Sequence, residues 1–271
     1  MHFWDTHRQV FFHVSLKIEP LMNSRYALVT GASSGIGQAC ALALLQKGWH
    51  VALLARRTEG FAAWLKDHHI DPSLALVLSA DISNEDQVKA AFKTLESSFG
   101  RLDLLFNNAG IFPTGQLPDE VTGEAWRKAV DININGAFYC LSAAFSLMKR
   151  QSPMGGRIIN NGSISAHAPR PASIAYTTTK HAITGLTKAA NLDGRAYNIA
   201  VGQIDIGNVA SDMTQAMAQG IKQADGSVKA EARMEMQGVV DTVMNMAQLP
   251  LSANVLFTTI MATGMPFVGR G

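Results

Sequence analysis

Three side chains that together can move a proton on and off an alcohol oxygen stand close in the chain: Ser163, Tyr176 and Lys180. A helix over 174–192 places Tyr176 and Lys180 at i and i+4, on one face and one turn apart. A free phenol titrates near 10 and is a poor acid or base at neutral pH. An ammonium beside it favours the phenolate and lowers that value. Ser163, thirteen residues before Tyr176, can hydrogen-bond the oxygen that the phenol serves. Taken alone, Tyr-x-x-x-Lys arises easily by chance, and a half-buried core Tyr beside a solvated Lys explains it. The surrounding elements weigh against that reading.

The first of them is a strand over 25–30 that runs into Gly31-Ala-Ser-Ser-Gly35-Ile-Gly37, followed by a helical pattern over 38–47 that stops at Gly48. Strand, glycine-rich turn and helix form a phosphate cradle. The glycines admit a pyrophosphate to the backbone, and the helix N-terminus offers N–H groups and a positive dipole end. Gly31, Ser33, Ser34, Gly35, Ile36 and Gly37 are the candidate cradle. A second strand over 49–55 ends at Ala55, where a dinucleotide fold places a carboxylate for the adenosine 2′-hydroxyl. Arg56 and Arg57 follow instead, and Arg suits a dianionic 2′-phosphate. The pair favours NADP(H) as cofactor, with NAD(H) as the alternative.

After a helix over 58–68, a third strand over 74–78 leads to Asp81-Ile82. Asp81 can accept from an adenine amino group or cap the helix over 84–99, and the sequence by itself favours the cap. A fourth strand over 102–106 delivers Asn107-Asn108-Ala109-Gly110, where amides can tie neighbouring strands and small residues allow close approach. The loop 111–118 fits the rim of a site. Helical pattern from 119 to 150 is interrupted by Asp131-Ile-Asn133-Ile-Asn135-Gly136, which marks a surface or a kink. An Asn there can hold a water that relays protons from the lysine. A fifth strand over 156–161 sets Ser163 at a strand's carboxyl end, where open α/β sheets bind ligands. A sixth strand spans 197–204, a helix 239–248 and a last strand 254–260. Residues 205–238, rich in Met, Gln and Gly, suit a lid over a substrate.

The alternation predicts an α/β fold: a single doubly wound, Rossmann-type parallel sheet of about seven strands with helices on both faces. One domain spans 23–271. Residues 1–22 lack a clear period and read as an appended arm, or as sequence upstream of a natural start at Met22. Net charge is +2 with 16% charged residues, which excludes a nucleic-acid footprint. No stretch reaches the ~18–20 consecutive apolar residues of a membrane span. The two cysteines, Cys40 and Cys140, fall in predicted helices without a C-x-x-C partner and read as buried free thiols. A reducing compartment such as the cytoplasm fits them.

In order, Thr30-Gly31…Gly35-Ile36-Gly37, Asp81, Asn107-Asn108-Ala109-Gly110, Asn133, Ser163 and Tyr176…Lys180 resemble the short-chain dehydrogenase/reductase family over about residues 24–260. The resemblance implies a catalytic tetrad of Asn133, Ser163, Tyr176 and Lys180, with Tyr176 as general acid/base. Ser163 would polarise the carbonyl, Lys180 would lower the Tyr value and hold the nicotinamide ribose, and Asn133 would hold the relay water. It also implies cofactor contacts from Ile82, Asn108, Ala109, Gly110 and Gly207. Family members usually pair as homodimers or homotetramers through the helices near 136–150 and 174–192. The chain departs from the pattern after the sixth strand, where Ile206-Gly207 replaces Pro-Gly and Ser211 replaces a Thr. The expected activity is hydride transfer between a nicotinamide and a small-molecule carbonyl or secondary alcohol. A non-catalytic dinucleotide sensor of the same fold is the competing reading. An epimerase or dehydratase would belong to longer relatives with an added substrate domain.

Overall fold

The computed structural model describes residues 24–268 apart from 114, 212–213 and 215–218. The arm expected over 1–22 and the last three residues lie outside the described residues. The elements run β1 (Tyr26–Thr30), α1 (Gly35–Gln46), β2 (His50–Ala55), α2 (Phe61–Asp67), β3 (Ala75–Ser79), α3 (Glu85–Phe99), β4 (Leu104–Asn107) and α4 (Gly123–Val130). A π-helical turn (Asp131–Gly136) joins α4 to α5 (Ala137–Arg150). Then come β5 (Gly156–Asn161), α6 (Ile174–Gly194), β6 (Ile199–Ile206), a two-stranded hairpin of β7 (Ile221–Lys222) and β8 (Val228–Lys229), α7 (Met236–Gln248) and β9 (Phe257–Ile260).

Seven strands pair in the order β3-β2-β1-β4-β5-β6-β9, all parallel. Strand side chains alternate between the faces with a period of two. Ala27, Val29, Leu53, Leu104 and Phe106 pack with α1 and α7 on one face. Leu28, Leu54, Leu105, Ile158 and Val201 pack with α3, α5 and α6 on the other. Burial on both faces explains why these strands read as continuous apolar runs. Each fully buried Leu or Phe contributes roughly 1.5–3 kcal/mol. Cys40 and Cys140 sit one in each layer, both free. Burial pushes both thiols up to about 12, so neither is poised to react.

Strand order reverses between β1 and β4. A crevice therefore opens outside the carboxyl ends of these strands, the ligand position of open α/β sheets. Amides hold that reversal together, as expected of Asn107-Asn108. Thr30 Oγ1 accepts from the backbone N–H groups of Asn108 and Ala109 at 2.9 Å each. Asn108 Nδ2 donates to Thr30 O at 2.9 Å, and Asn161 Nδ2 donates to Asn108 Oδ1 at 2.9 Å. Three strand ends are thereby locked at one point.

Several boundaries differ from the sequence expectation. Helix α1 starts at Gly35, so the second and third glycines of the turn belong to its first turn. Helix α3 is capped by Asn84, whose side chain accepts from Gln87 N at 3.1 Å. The cap assigned to Asp81 is therefore corrected: its carboxylate instead accepts from Ser83 N and Ser83 Oγ, at 3.0 and 2.7 Å. Strand β6 runs two residues further than expected, through Asp205 and Ile206, so these are sheet rather than lid. Tyr197 lies in a 3-10 turn before it. No helix among the described residues is long and apolar enough to cross a membrane.

Candidate active site

The crevice forms one cleft of about 330 Å³ that runs from the glycine-rich turn to α6. At one end lie Gly31, Ser33, Ser34, Gly35 and Ile36, with Arg56, Arg57, Asp81 and Ile82 on its flank. Asn108, Ala109 and Gly110 form its floor. Ser163, Tyr176, Lys180 and Gly207 close the far end. Two expected residues do not line it. Gly37 faces the turn from inside α1, and Asn133 sits behind the wall, 3% exposed.

The cradle end suits a pyrophosphate. No side chain caps α1 at Ser34, which leaves the N–H groups of its first turn for a ligand. Gly35 has φ +55, and a Cβ there would meet nothing within 4 Å, so the glycine faces open space. At the flank, Arg56 Nη1 lies 3.9 Å from Asp81 Oδ2, and the Arg56 side chain is 64% exposed. The pair is long and solvent-exposed, so the carboxylate does not neutralise the guanidinium in a buried contact.

At the other end α6 presents Tyr176 and Lys180 on one face. Lys180 is 7% exposed; its Nζ donates to Asn161 O at 2.7 Å and lies 5.6 Å from the Tyr176 ring centroid. Phe112 packs edge-on against Tyr176, with centroids 4.5 Å apart at 89°. The phenol departs from expectation. Burial drives its pKa above the ordinary value of 10, opposed by the Ser163 hydroxyl and by the Arg170 guanidinium. The groups that lower it are thus Ser163 and Arg170, and burial outweighs both. At neutral pH Tyr176 is a protonated acid, not a phenolate. Ser163 Oγ accepts from Ser165 N at 3.1 Å, and its hydroxyl hydrogen-bonds the Tyr176 phenol.

Asn133 occupies the π-helical turn. Its Oδ1 accepts from Ile111 N at 2.8 Å, and its Nδ2 donates to Ile111 O and to Thr179 Oγ1 at 2.9 and 3.1 Å. The amide clamps the 110–112 loop to α6, one residue from Lys180. These bonds engage both ends of the side chain expected to hold a water.

Burial lowers Lys180 from its ordinary 10.5 to about 8. Between those values the unfolded chain binds more protons at this site than the folded chain. The ammonium therefore opposes folding in full below pH 8, and that opposition fades as pH rises toward 10.5. Lys180→Met removes it. The stability difference between Lys180→Met and the wild type, from urea unfolding, should shift in favour of the wild type as pH climbs through this window. A difference that stays flat would show that the ammonium is well solvated.

The sequence reading missed Arg170, His167, Asp205 and Asn208. Arg170 and Asn208 also line the cleft. His167 reaches Asp205, and Arg170 reaches Asn208, across 38 residues, a separation no local pattern reports.

Comparison with known proteins agrees with this geometry. A 3beta-hydroxysteroid dehydrogenase of Mediterraneibacter gnavus is 30% identical over 82% of this chain and 80% of its own length. A 3-oxoacyl-acyl-carrier-protein reductase FabG of Staphylococcus aureus is 34% identical over 74% of this chain and 80% of its own. Among solved structures, ElxO with NADP bound superposes with a TM-score of 0.75 at 25% identity, covering 88% of this chain and 98% of that one. The short chain dehydrogenase family profile matches residues 25–222, and the chain belongs to that family.

Proposed function

We propose that the protein is an NADP(H)-dependent oxidoreductase that interconverts a carbonyl and a secondary alcohol, with Tyr176 as the general acid/base. The observation that carries this reading is the convergence of Ser163, Tyr176 and Lys180 on one end of the cleft whose other end is an uncapped helix N-terminus. When bound, the dinucleotide supplies or accepts the hydride. This chain's residues do the rest. In reduction, the Ser163 O–H orients the substrate oxygen, and Tyr176 gives that oxygen its proton as the carbon gains hydride. The phenolate left behind is stabilised by Ser163 and by the positive charge of Arg170. The protonated resting state of Tyr176 favours this direction at neutral pH. The names of the two curated relatives, a hydroxysteroid dehydrogenase and an oxoacyl reductase, fit the same alcohol–ketone chemistry.

Ile111, Phe112, Ile164 and Val209 make the wall beside Tyr176 apolar, which suits a medium-sized, largely apolar substrate. Gly207, Asn208, Val209, Ser211 and Thr214 line this end of the cleft, which supports a lid role for the segment that carries them. Exposed Trp126 on α4, Phe138 on α5 and Leu192 on α6 support pairing of these helices in a homodimer or homotetramer. The test is cofactor oxidation, followed by absorbance, with NADPH and a panel of ketones, aldehydes and 3-oxo acids. Turnover of at least one carbonyl supports the proposal. NADPH binding with no turnover across the panel would replace it with a binding protein.

Cofactor choice has a separate test. Arg56→Ala should weaken NADPH binding roughly tenfold, about 1.4 kcal/mol, and leave NADH nearly unchanged, because only the 2′-phosphate calls on the guanidinium. Titration of the variant with both cofactors measures this. Equal losses would remove the 2′-phosphate assignment.

A further inference from the structure

A carboxylate sits directly beneath Ser163. Asp205, at the end of β6, is 1% exposed. Its Oδ1 accepts from Ser163 N at 3.0 Å and from Gln203 Nε2 at 2.7 Å. Its Oδ2 meets His167 Nε2 at 2.7 Å. Ser163 and His167 flank a single 3-10 turn, Ile164–Ala166, so one carboxylate grips both ends of the turn that carries the site's hydroxyl. The chain makes room for it at Gly162, where a Cβ would lie 2.0 Å from Asp205 Oδ1 and 2.6 Å from Gln203 Nε2.

The grip extends to the other half of the site. Gln203 Nε2 also donates to Thr184 Oγ1 at 3.1 Å, and Thr187 Oγ1 donates to Gln203 Oε1 at 2.9 Å. Both threonines belong to α6, the helix that presents Tyr176 and Lys180. A continuous run of buried hydrogen bonds therefore links α6 to the Ser163 turn through Gln203 and Asp205. A buried carboxylate costs several kcal/mol unless its oxygens are satisfied. Here each oxygen has a partner, and such a satisfied network holds one geometry.

We propose that Asp205 is a positioning residue that fixes Ser163 relative to Tyr176, and that His167 holds the second carboxylate oxygen so that the turn cannot swing. The inference rests on the proposed carbonyl chemistry. Asp205 touches no reacting atom in this scheme; it acts through the Ser163 backbone, and its charge also raises the pKa of Tyr176 and opposes the lowering of Lys180. Its loss should therefore lower kcat for the carbonyl while leaving cofactor affinity unchanged.

The test measures kcat, KM and NADPH affinity for Asp205→Ala, Asp205→Asn and His167→Leu, on a carbonyl the wild type turns over. Asp205→Ala should lower kcat roughly tenfold, since small displacements of a reacting group are costly. Asp205→Asn keeps an oxygen for the Ser163 N–H and should recover most of that loss. His167→Leu, at a ring that is 44% exposed, should lower kcat roughly threefold, with thermal unfolding checking that the variant is folded. Unchanged kcat in both Asp205→Asn and His167→Leu, with Asp205→Ala either unchanged or unfolded, would overturn the inference. So would parallel losses of kcat and NADPH affinity in a folded Asp205→Ala. An inactive wild type would sink the proposed function and this inference with it, whereas an active wild type with indifferent variants sinks this inference alone.

Discussion

Tyr176→Phe is expected to lower kcat for carbonyl reduction by roughly 10²–10⁴-fold, the usual contribution of a positioned general acid. The change removes one oxygen. The ring keeps its edge-on contact with Phe112 and its place beneath Lys180, so fold and NADPH affinity should survive. Thermal unfolding and cofactor titration of the variant check this before its kinetics are read. A loss under threefold would show that the proton comes from elsewhere. The environment of the phenol also fixes the sign of the wild-type pH response. Burial holds the phenol above 10, so its acid form persists across neutral pH. Alcohol oxidation needs the phenolate, and its rate should rise with pH well past neutrality.

The architecture was legible because its signals are local. Apolar runs such as 51–55 and 104–106 are buried on both faces, and glycine stops such as Gly100 close helices with φ +72. The site end of α6 was legible too, since Tyr176 and Lys180 share a helical face whatever packs around them. What failed was local in appearance and decided at long range. Asp205 falls at the start of the segment read as a lid and Gln203 inside the strand before it, yet both are essentially inaccessible because partners in α6 and the Ser163 turn satisfy them. Asp81 and Asn84 are equally good caps by residue type. Only the backbone path, with Asn84 Oδ1 aimed at Gln87 N, chooses between them. The phenol value was misjudged for a related reason. A neighbouring ammonium can be counted from spacing, but the desolvation that raises the phenol depends on how the chain packs around it. Asn133 was found by type, while its clamp on Ile111 depends on a π-helical turn that spacing does not announce.

Glu231→Ala is expected to destabilise the protein by about 3–5 kcal/mol, the cost of removing one partner from a buried ion pair. Arg170 Nη2 donates to Glu231 Oε2 at 2.5 Å and to Asn208 Oδ1 at 2.8 Å. Asn208 Nδ2 and Gln223 Nε2 donate to the Glu231 carboxylate at 2.8 and 3.1 Å. The Arg170 and Glu231 side chains are 6% and 2% exposed. This cluster joins three segments: the turn before α6, the end of β6, and the hairpin of β7 and β8. Withdrawing the carboxylate leaves a buried guanidinium with less compensation and loosens the hairpin side of the cleft. Urea unfolding measures the cost, and limited proteolysis within 219–235 should quicken in the variant. A companion change, Arg170→Met with Glu231→Leu, should recover most of the stability, because it removes the charge that Glu231→Ala strands. A loss under ~1 kcal/mol in Glu231→Ala would place the pair in the class of solvated ion pairs. The same variant bears on chemistry, because the positive charge of Arg170 lowers the Tyr176 pKa. With its carboxylate partner gone, Arg170 should pull the phenol further down. Alcohol oxidation by the folded fraction should then reach its rising limb at lower pH than in the wild type.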